Sequence, residues 1–151
     1  MSPDDIPLLF HSSLRHPLPR TELRVFFADV VKRVARGRRI TCLITNDRAL
    51  RRLNRLFRKK DYATDVLSFP MGEGSGEIAI SLDRAIAQAR ECGHGVADEV
   101  RILMLHGVLH LTGMDHETDS GEMARAEMRW RKRLGLPDGL IERALVERAR
   151  A

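Results

Sequence analysis

The segment ADEVRILMLHGVLHLTGMDH, residues 97–116, decides the fold, because it combines a helical stripe of apolar residues with three histidines. The apolar residues recur at helical spacing: Val100, Leu103, Met104, Val108 and Leu111. Gly113 follows the last of them, and glycine is a common helix-ending residue. We therefore predict a helix that buries its apolar stripe and ends near Gly113.

The three histidines of this segment have the spacing of metal ligands. His106 and His110 lie four residues apart, so a helix presents both imidazoles on one face. Gly113 lets the chain turn back after the helix, so that His116 can supply a third ligand. Three protein ligands leave a fourth position for water or substrate, as in catalytic zinc sites. The sequence therefore predicts one Zn²⁺ per chain on this helix and the loop that follows it.

The residue after the first histidine separates this site from zinc peptidases. The spacing H-x3-H-x2-G-x2-H is that of the metzincins, which place a glutamate general base directly after the first histidine. Gly107 occupies that position here and cannot accept a proton. We expect Gly107 to let a substrate backbone approach the metal closely. We expect Asp115 to hydrogen-bond an imidazole and to fix its tautomer.

The rest of the chain shows further helical and strand patterns. Helices are predicted at 23–34, 48–59, 82–93 and 121–135. Asn46 or Asp47 is expected to cap the second of these, and Ser120 the last. Strands are predicted at 38–45, 65–69 and 77–81, the last two joined by a glycine-rich turn. This combination predicts an α+β fold, with a small mixed sheet of three to four strands packed against several helices.

The length of 151 residues predicts a single domain spanning 1–151, in which residues 1–20 show no clear element and the tail 138–151 adds at most a short helix. Hydrophobic residues make up 43%, which excludes a disordered chain. No run reaches the roughly 18 apolar residues of a membrane helix, so we expect no membrane partner. With no secretory signal pattern and two cysteines, Cys42 and Cys92, which we interpret as small core residues, we expect a cytoplasmic location.

The net charge of +5 is unevenly distributed along the chain. Residues 32–60 contain twelve Lys or Arg and one acid, a local charge of +11. In the helix 48–59, Leu50, Leu53 and Phe57 are predicted to face inward. The opposite face carries the basic ridge, which consists of Arg48, Arg51, Arg52, Arg55 and Lys59. Such segregation favours a surface for a polyanion such as RNA, the alternative being a solvated face without a partner.

These motifs together resemble a known family. HGVLHLTGMDH, the upstream KDYATDVLSFP and the strand GEIAIS resemble the YbeY family of bacterial endoribonucleases, over residues 41–134. The resemblance implies a zinc-dependent, single-strand-specific endoribonuclease that matures the 3′ end of 16S rRNA and acts in ribosome quality control. Its implied partners are therefore single-stranded RNA, rRNA and the ribosome or its small subunit. It also implies that Arg58 is the functional arginine, and that His106, His110 and His116 hold the metal.

The chemistry of the basic and aromatic side chains suggests a role for each of them, and two other functions remain open for the chain. Arg58 can bind a phosphate and stabilise transition-state charge, while Arg48, Arg51, Arg55 and Lys59 are expected to contact RNA phosphates. Tyr62 and Trp130 are candidates for base stacking, although we expect Trp130 in the core. One alternative is a zincin-type metallopeptidase, with Glu117 or Glu99 as a replacement base. The other is a non-catalytic ribosome assembly factor with structural zinc.

Overall fold

A computed structural model describes residues 7–62, 64–72, 75–137 and 141. Four strands are present: β1 (Leu8–Phe10), β2 (Ile40–Thr45), β3 (Val66–Pro70) and β4 (Gly76–Ser81). Five helices accompany them: α1 (Arg20–Val34), α2 (Asp47–Arg58), α3 (Leu82–Cys92), α4 (Val96–Leu111) and α5 (Glu122–Leu134). The predicted α+β class is confirmed. The expected helix in the tail 138–151 lies outside the described residues, apart from 141.

The strands form one mixed sheet in the order β1-β2-β4-β3. β1 and β4 both run parallel to β2, whereas β3 pairs antiparallel with β4 as the predicted hairpin. β1 lies in the segment for which the sequence predicted no element. Its three residues are too few for a periodic pattern, and their pairing with Cys42, Leu43 and Ile44 makes them a strand.

Helix α4 lies in the middle of the core. Its side chains are buried on nearly all sides, and they pack with α1, α3, α5 and the β3–β4 hairpin. Each fully buried Leu- or Ile-sized side chain contributes about 1.5–3 kcal/mol relative to exposure. The helix that carries two of the candidate metal ligands is therefore also the main packing element of the fold.

Gly107 serves this packing and does not admit substrate as predicted. A Cβ at Gly107 would lie 3.0 Å from both Cδ1 and Cγ2 of Ile78, a buried residue of β4. The Gly107 carbonyl also accepts a hydrogen bond from Ser68 Oγ on β3, at 3.2 Å. The missing side chain thus faces the sheet. The prediction of a close substrate approach at Gly107 is wrong, because helix–sheet contact uses that space.

Helix α2 begins as predicted but presents a different inner face. Asn46 caps it by accepting a hydrogen bond from the Ala49 backbone N–H at 2.8 Å. Leu50 is buried, but Phe57 is 68% exposed, so the expected inward Phe57 is wrong. The buried position is taken by Asn54, whose Nδ2 donates to the Tyr62 carbonyl at 3.0 Å. The inner face of the last turns therefore anchors the next connection through Asn54, while the Phe57 side chain stays largely open to solvent.

The start of α5 also differs from the prediction. The Ser120 side chain does not cap the helix, whose N-cap residue is Gly121. Asp119 replaces it: its carboxylate accepts hydrogen bonds from the backbone N–H groups of Gly121 and Met123, both at 2.9 Å. These bonds lower the pKa of Asp119, since they favour the charged carboxylate.

Two smaller expectations concern cysteines and membranes. Cys42 is buried in the sheet, and burial raises the pKa of its thiol, as expected for a small core residue. Cys92, in contrast, is exposed at the end of α3, so its assignment to the core is wrong. Among the described residues, no helix has the length and apolar character needed to cross a membrane.

Candidate metal centre

The three predicted ligands meet at the C-terminal end of α4. One ligand atom from each of His106, His110 and His116 lies within 4.8 Å of the other two. The ring centroids of His106 and His110 are 4.9 Å apart, and His116 lies 5.6 and 5.7 Å from them. His106 is buried, His110 is half-buried and His116 is exposed. The cluster therefore opens from the core towards solvent.

The loop after α4 brings His116 back to the helix. Gly113 has a φ of 101°, a left-handed conformation that side chains disfavour, and it reverses the chain. Asp115 then organises a turn: its Oδ1 accepts a hydrogen bond from the Glu117 backbone N–H at 3.0 Å, and its carbonyl accepts from Asp119. Asp115 thus lies beside the cluster, where the described hydrogen bond of its carboxylate comes from the loop backbone. Its contact with an imidazole stays a prediction.

A buried glutamate that the sequence analysis missed orients the first histidine. Glu127 Oε2 lies 2.9 Å from His106 Nδ1, and Glu127 Oε1 accepts the Ile141 backbone N–H at 2.8 Å. Glu127 is 1% exposed. A carboxylate that accepts Nδ1–H leaves Nε2 as the free nitrogen of His106, the arrangement typical of metal-binding histidines. A signal existed in the sequence, because Glu127 lies four residues after Met123 and therefore shares its helix face, which is buried.

The electrostatics of the cluster favour a neutral imidazole at His110. Burial lowers the pKa of His110, and the nearby His106 and His116 lower it further, against opposing contributions from Met114 and Asp115. A neutral imidazole has a lone pair to offer, whereas a protonated one does not. The cluster thus holds His110 in the form that binds a metal.

The donor set fits zinc. Imidazole nitrogens are preferred zinc ligands, at about 2.0–2.1 Å, and three of them surround one point here. Glu127 supplies the carboxylate that supports such ligands from behind. The cluster also faces open space, so a fourth position is accessible. The residues present therefore suit a catalytic rather than a closed, cysteine-rich structural site.

A cavity of about 400 Å³ lies in front of the cluster, between two unlike walls. We call the first the histidine wall; it consists of His106, His110, Asp115, His116 and Glu117. The second, the cationic wall, comes from the end of α2 and the α2–β3 connection, where two cations outnumber one acid; it consists of Asn54, Arg58, Lys60, Tyr62, Thr64 and Asp65. The structure thus brings Arg58 to the same cavity as the three histidines.

The predicted RNA-binding residues lie outside this cavity lining. Arg48, Arg51, Arg55 and Lys59 are all exposed, as a solvent-facing ridge requires. Arg51 is already paired, because its Nε and Nη2 donate to Asp61 at 2.8 and 3.3 Å. This pair raises the pKa of Arg51 and lowers that of Asp61. Lys59 follows the last helical residue in a left-handed conformation, with φ 56°.

Burial shows whether Glu99 and Trp130 can take part in the site. Glu99 is fully buried, and its Oε1 lies 2.6 Å from His94 Nε2, so it is not available as a replacement base in the cavity. Trp130 packs against the core, as expected, with the guanidinium groups of Arg33 and Arg133 over its ring at 5.6 and 5.1 Å. Of the two stacking candidates, Tyr62 is the one that lines the cavity.

Comparison with known proteins places this site in a family. The family profile described as Endoribonuclease YbeY matches residues 13–135. The chain belongs to the YbeY family. The Endoribonuclease YbeY of Solibacter usitatus is 62% identical over 127 residues, which cover 83% of this chain and 86% of the relative. That of Koribacter versatilis is 51% identical over 124 residues, covering 80% and 81%.

Solved structures show the same fold. The solution structure of a Thermotoga maritima protein matches with a TM-score of 0.59 and 24% identity, over 84% of this chain and 87% of that one. The YbeY family match begins before α1 and ends just after α5. It therefore includes both walls of the cavity.

Proposed function

We propose that this chain is a zinc-dependent, single-strand-specific endoribonuclease. One observation carries the proposal: three converging histidines line the same cavity as Arg58 and Lys60. A site for a metal and a site for a phosphate are thereby within reach of the same substrate. The relatives from Solibacter usitatus and Koribacter versatilis are named endoribonucleases, which supports this choice of substrate.

His106, His110 and His116 would hold the ion. When bound, zinc would supply a Lewis acid that lowers the pKa of water to about 7 and polarises a phosphoryl oxygen. Glu127 accepts the Nδ1 proton of His106 and so holds this ring in one tautomer and one orientation. In this proposal Asp115 acts from the loop after α4, where it would hydrogen-bond an imidazole and fix its tautomer.

The cationic wall would position the phosphodiester. Arg58 presents a planar guanidinium that can donate paired hydrogen bonds to phosphate oxygens and stabilise charge that develops in the transition state. Lys60 adds a second positive charge in the same cavity. Outside it, Arg48, Arg55 and Lys59 would hold the flanking strand by charge, and Arg51 would contribute less because Asp61 already neutralises it.

The biological setting we propose is rRNA maturation in the cytoplasm. The resemblance to the family motif implies processing of the 3′ end of 16S rRNA on the small subunit, and a role in ribosome quality control. The exposed basic ridge suits such a substrate. Purified small subunits that carry a 3′-extended 16S rRNA test this proposal: the protein should shorten the extension, and an unchanged 3′ end would contradict it.

The metallopeptidase alternative has little support in the site. Gly107 takes the place of the glutamate base, its missing side chain faces Ile78, and Glu99 is buried against His94. Of the two glutamates considered as replacement bases, Glu117 lines the cavity and Glu99 does not. The assembly-factor alternative expects a closed metal site, whereas this cluster opens to a cavity.

One experiment separates the three functions. The protein is incubated with a single-stranded RNA, its duplex and an unfolded polypeptide, each with and without a chelator. We expect chelator-sensitive cleavage of the single strand, little of the duplex and none of the polypeptide. Cleavage of the polypeptide would favour the peptidase. RNA binding without cleavage under any metal would favour the assembly factor.

A further inference from the structure

Tyr62 has an unusual position for the only tyrosine of the chain. Its side chain lines the cavity that holds the three histidines, yet it is 54% exposed. Burying an aromatic ring is favourable, so a ring left open to solvent beside a reactive site is available for a ligand.

The backbone below the ring is held in place. Asn54, which is 1% exposed, donates from Nδ2 to the Tyr62 carbonyl. The neighbouring Asp61 is fixed to α2 by its two hydrogen bonds from Arg51. The α2–β3 connection is therefore tied to α2 on both sides of the Asp61–Tyr62 peptide bond. This anchoring holds the backbone from which the Tyr62 side chain projects.

The charges around Tyr62 indicate what kind of ligand it would meet. Arg58 and Lys60 line the same wall, four and two residues before Tyr62. Proteins that bind single-stranded nucleic acids combine such cations, which hold the phosphates, with aromatic rings on which bases stack. Within the described cavity lining, Tyr62 is the one residue with an extended aromatic side chain besides the imidazoles.

We propose that Tyr62 is a positioning residue on which a base of the RNA substrate stacks while Arg58 and Lys60 hold the neighbouring phosphates. The inference rests on the proposed endoribonuclease function and gives a physical source for its single-strand preference. An unpaired base is free to leave its neighbours and lie on the ring. A base inside a duplex is already stacked on both faces, so it can use Tyr62 only after unpairing.

The other aromatic residues near the basic ridge offer a matched comparison. Phe57 is 68% exposed, but it lies outside the cavity lining and contacts Phe69 edge-on, with ring centroids 5.6 Å apart. Exposure alone therefore does not distinguish Tyr62. Tyr62 differs from Phe57 in lining the cavity. The variant Phe57→Ala is therefore a control for the loss of an exposed ring from the same segment.

Kinetics of the zinc-loaded protein test the inference. Tyr62→Ala should raise KM for a short single strand roughly 5- to 150-fold, the range for loss of one stacked base, with kcat little changed. Tyr62→Phe should restore the KM, because stacking needs the ring and not the hydroxyl. Phe57→Ala should leave KM near the wild-type value. An unchanged KM in Tyr62→Ala, or a rise as large in Phe57→Ala, would overturn the assignment.

A substrate series shows whether the ring and a base act on one another. Single strands that lack one base at successive positions are compared in the wild type and in Tyr62→Ala. At one position, loss of the base should raise the KM of the wild type to the KM that Tyr62→Ala shows with the intact strand. Loss of the same base should not raise the KM of Tyr62→Ala any further. Additive effects at every position would refute stacking, since independent changes add.

A spectroscopic signature completes the test. In a Trp130→Phe background, Tyr62 is the only strong intrinsic fluorophore. Rapid mixing with single-stranded RNA should quench its emission before cleavage, and the duplex should not. If the wild type cleaves the single strand but Tyr62 shows no quenching, stacking fails and the nuclease function stands. If the wild type neither binds nor cleaves RNA, the proposed function itself fails.

Discussion

The histidine wall and the cationic wall face the same cavity but are built in opposite ways. His106 and Glu127 are buried, hydrogen-bonded to each other and carried by helices that form the core. Arg58 and Lys60 are exposed, on a helix end and a connection. The first wall thus depends on packing and the second on charge. Changes in the histidine wall should therefore affect metal binding and stability together, whereas changes in the cationic wall should affect RNA alone.

The largest effect is expected at the centre of the histidine wall. His110→Ala should reduce bound zinc from about one per chain to near zero, because it leaves two of the three imidazoles that would hold the ion. Elemental analysis of the purified variant measures this directly. His16→Ala, at an exposed position in the N-terminal segment, is the control and should keep its zinc. Full zinc occupancy in a folded His110→Ala would remove the tri-histidine site.

A substitution in the cationic wall should reduce cleavage without reducing the amount of bound zinc. Arg58→Ala should retain zinc and lose cleavage by roughly 10²–10³-fold, the usual cost of one charge-stabilising donor. Arg52→Ala removes an exposed arginine of the same helix outside the cavity lining and should have little effect on kcat. Rates of single-strand cleavage and zinc content are measured on both variants. Zinc loss in Arg58→Ala would mean that Arg58 supports the structure of the metal site, and that the two walls are not independent.

A smaller effect is expected from behind the histidine wall. Glu127→Gln keeps the shape of the side chain but replaces one of its two acceptor oxygens, which serve His106 and the Ile141 N–H. Zinc affinity should fall by about 10- to 100-fold, as is typical when a carboxylate behind a ligand is lost. Competition with a chelator of known affinity measures the change. Glu122→Gln, at an exposed position of the same helix, should leave the affinity unaltered. Equal affinities in the two variants would show that Glu127 only fills space.

The smallest effect should come from the basic ridge. Arg51→Glu together with Arg55→Glu should weaken RNA binding and reduce the slope of log affinity against log salt by about one per lost phosphate contact. Because Asp61 already pairs with Arg51, the single change Arg55→Glu should account for most of this loss. RNA affinity of the single and the double variant is measured at several salt concentrations, and circular dichroism verifies that both are folded. An unchanged slope in a folded double variant would make the ridge a solvated face without a partner.

The sequence alone determined the features that depend on neighbours along the chain. His106, His110 and His116 could be recognised as one site because helical spacing and a helix-ending glycine act over a few residues. The cap at Asn46 is local in the same way. The exposure of the basic ridge could be predicted from the amphipathic pattern of α2. The same pattern predicted a buried Phe57, which is exposed, so it does not tell which apolar residues of the last turn are covered.

Only the tertiary structure decided which distant residues meet. Glu127 reaches His106 across 21 positions of the chain, and Gly107 contacts Ile78 from a different element. The strand β1 forms because its three residues pair with β2. Tyr62 and Arg58 line the same cavity as the histidines because α2 ends beside β3. These contacts depend on how whole elements pack, which the residues next to them in sequence do not specify. For that reason the three-histidine cluster could be predicted from a motif, whereas Glu127, which orients His106 from another helix, could not.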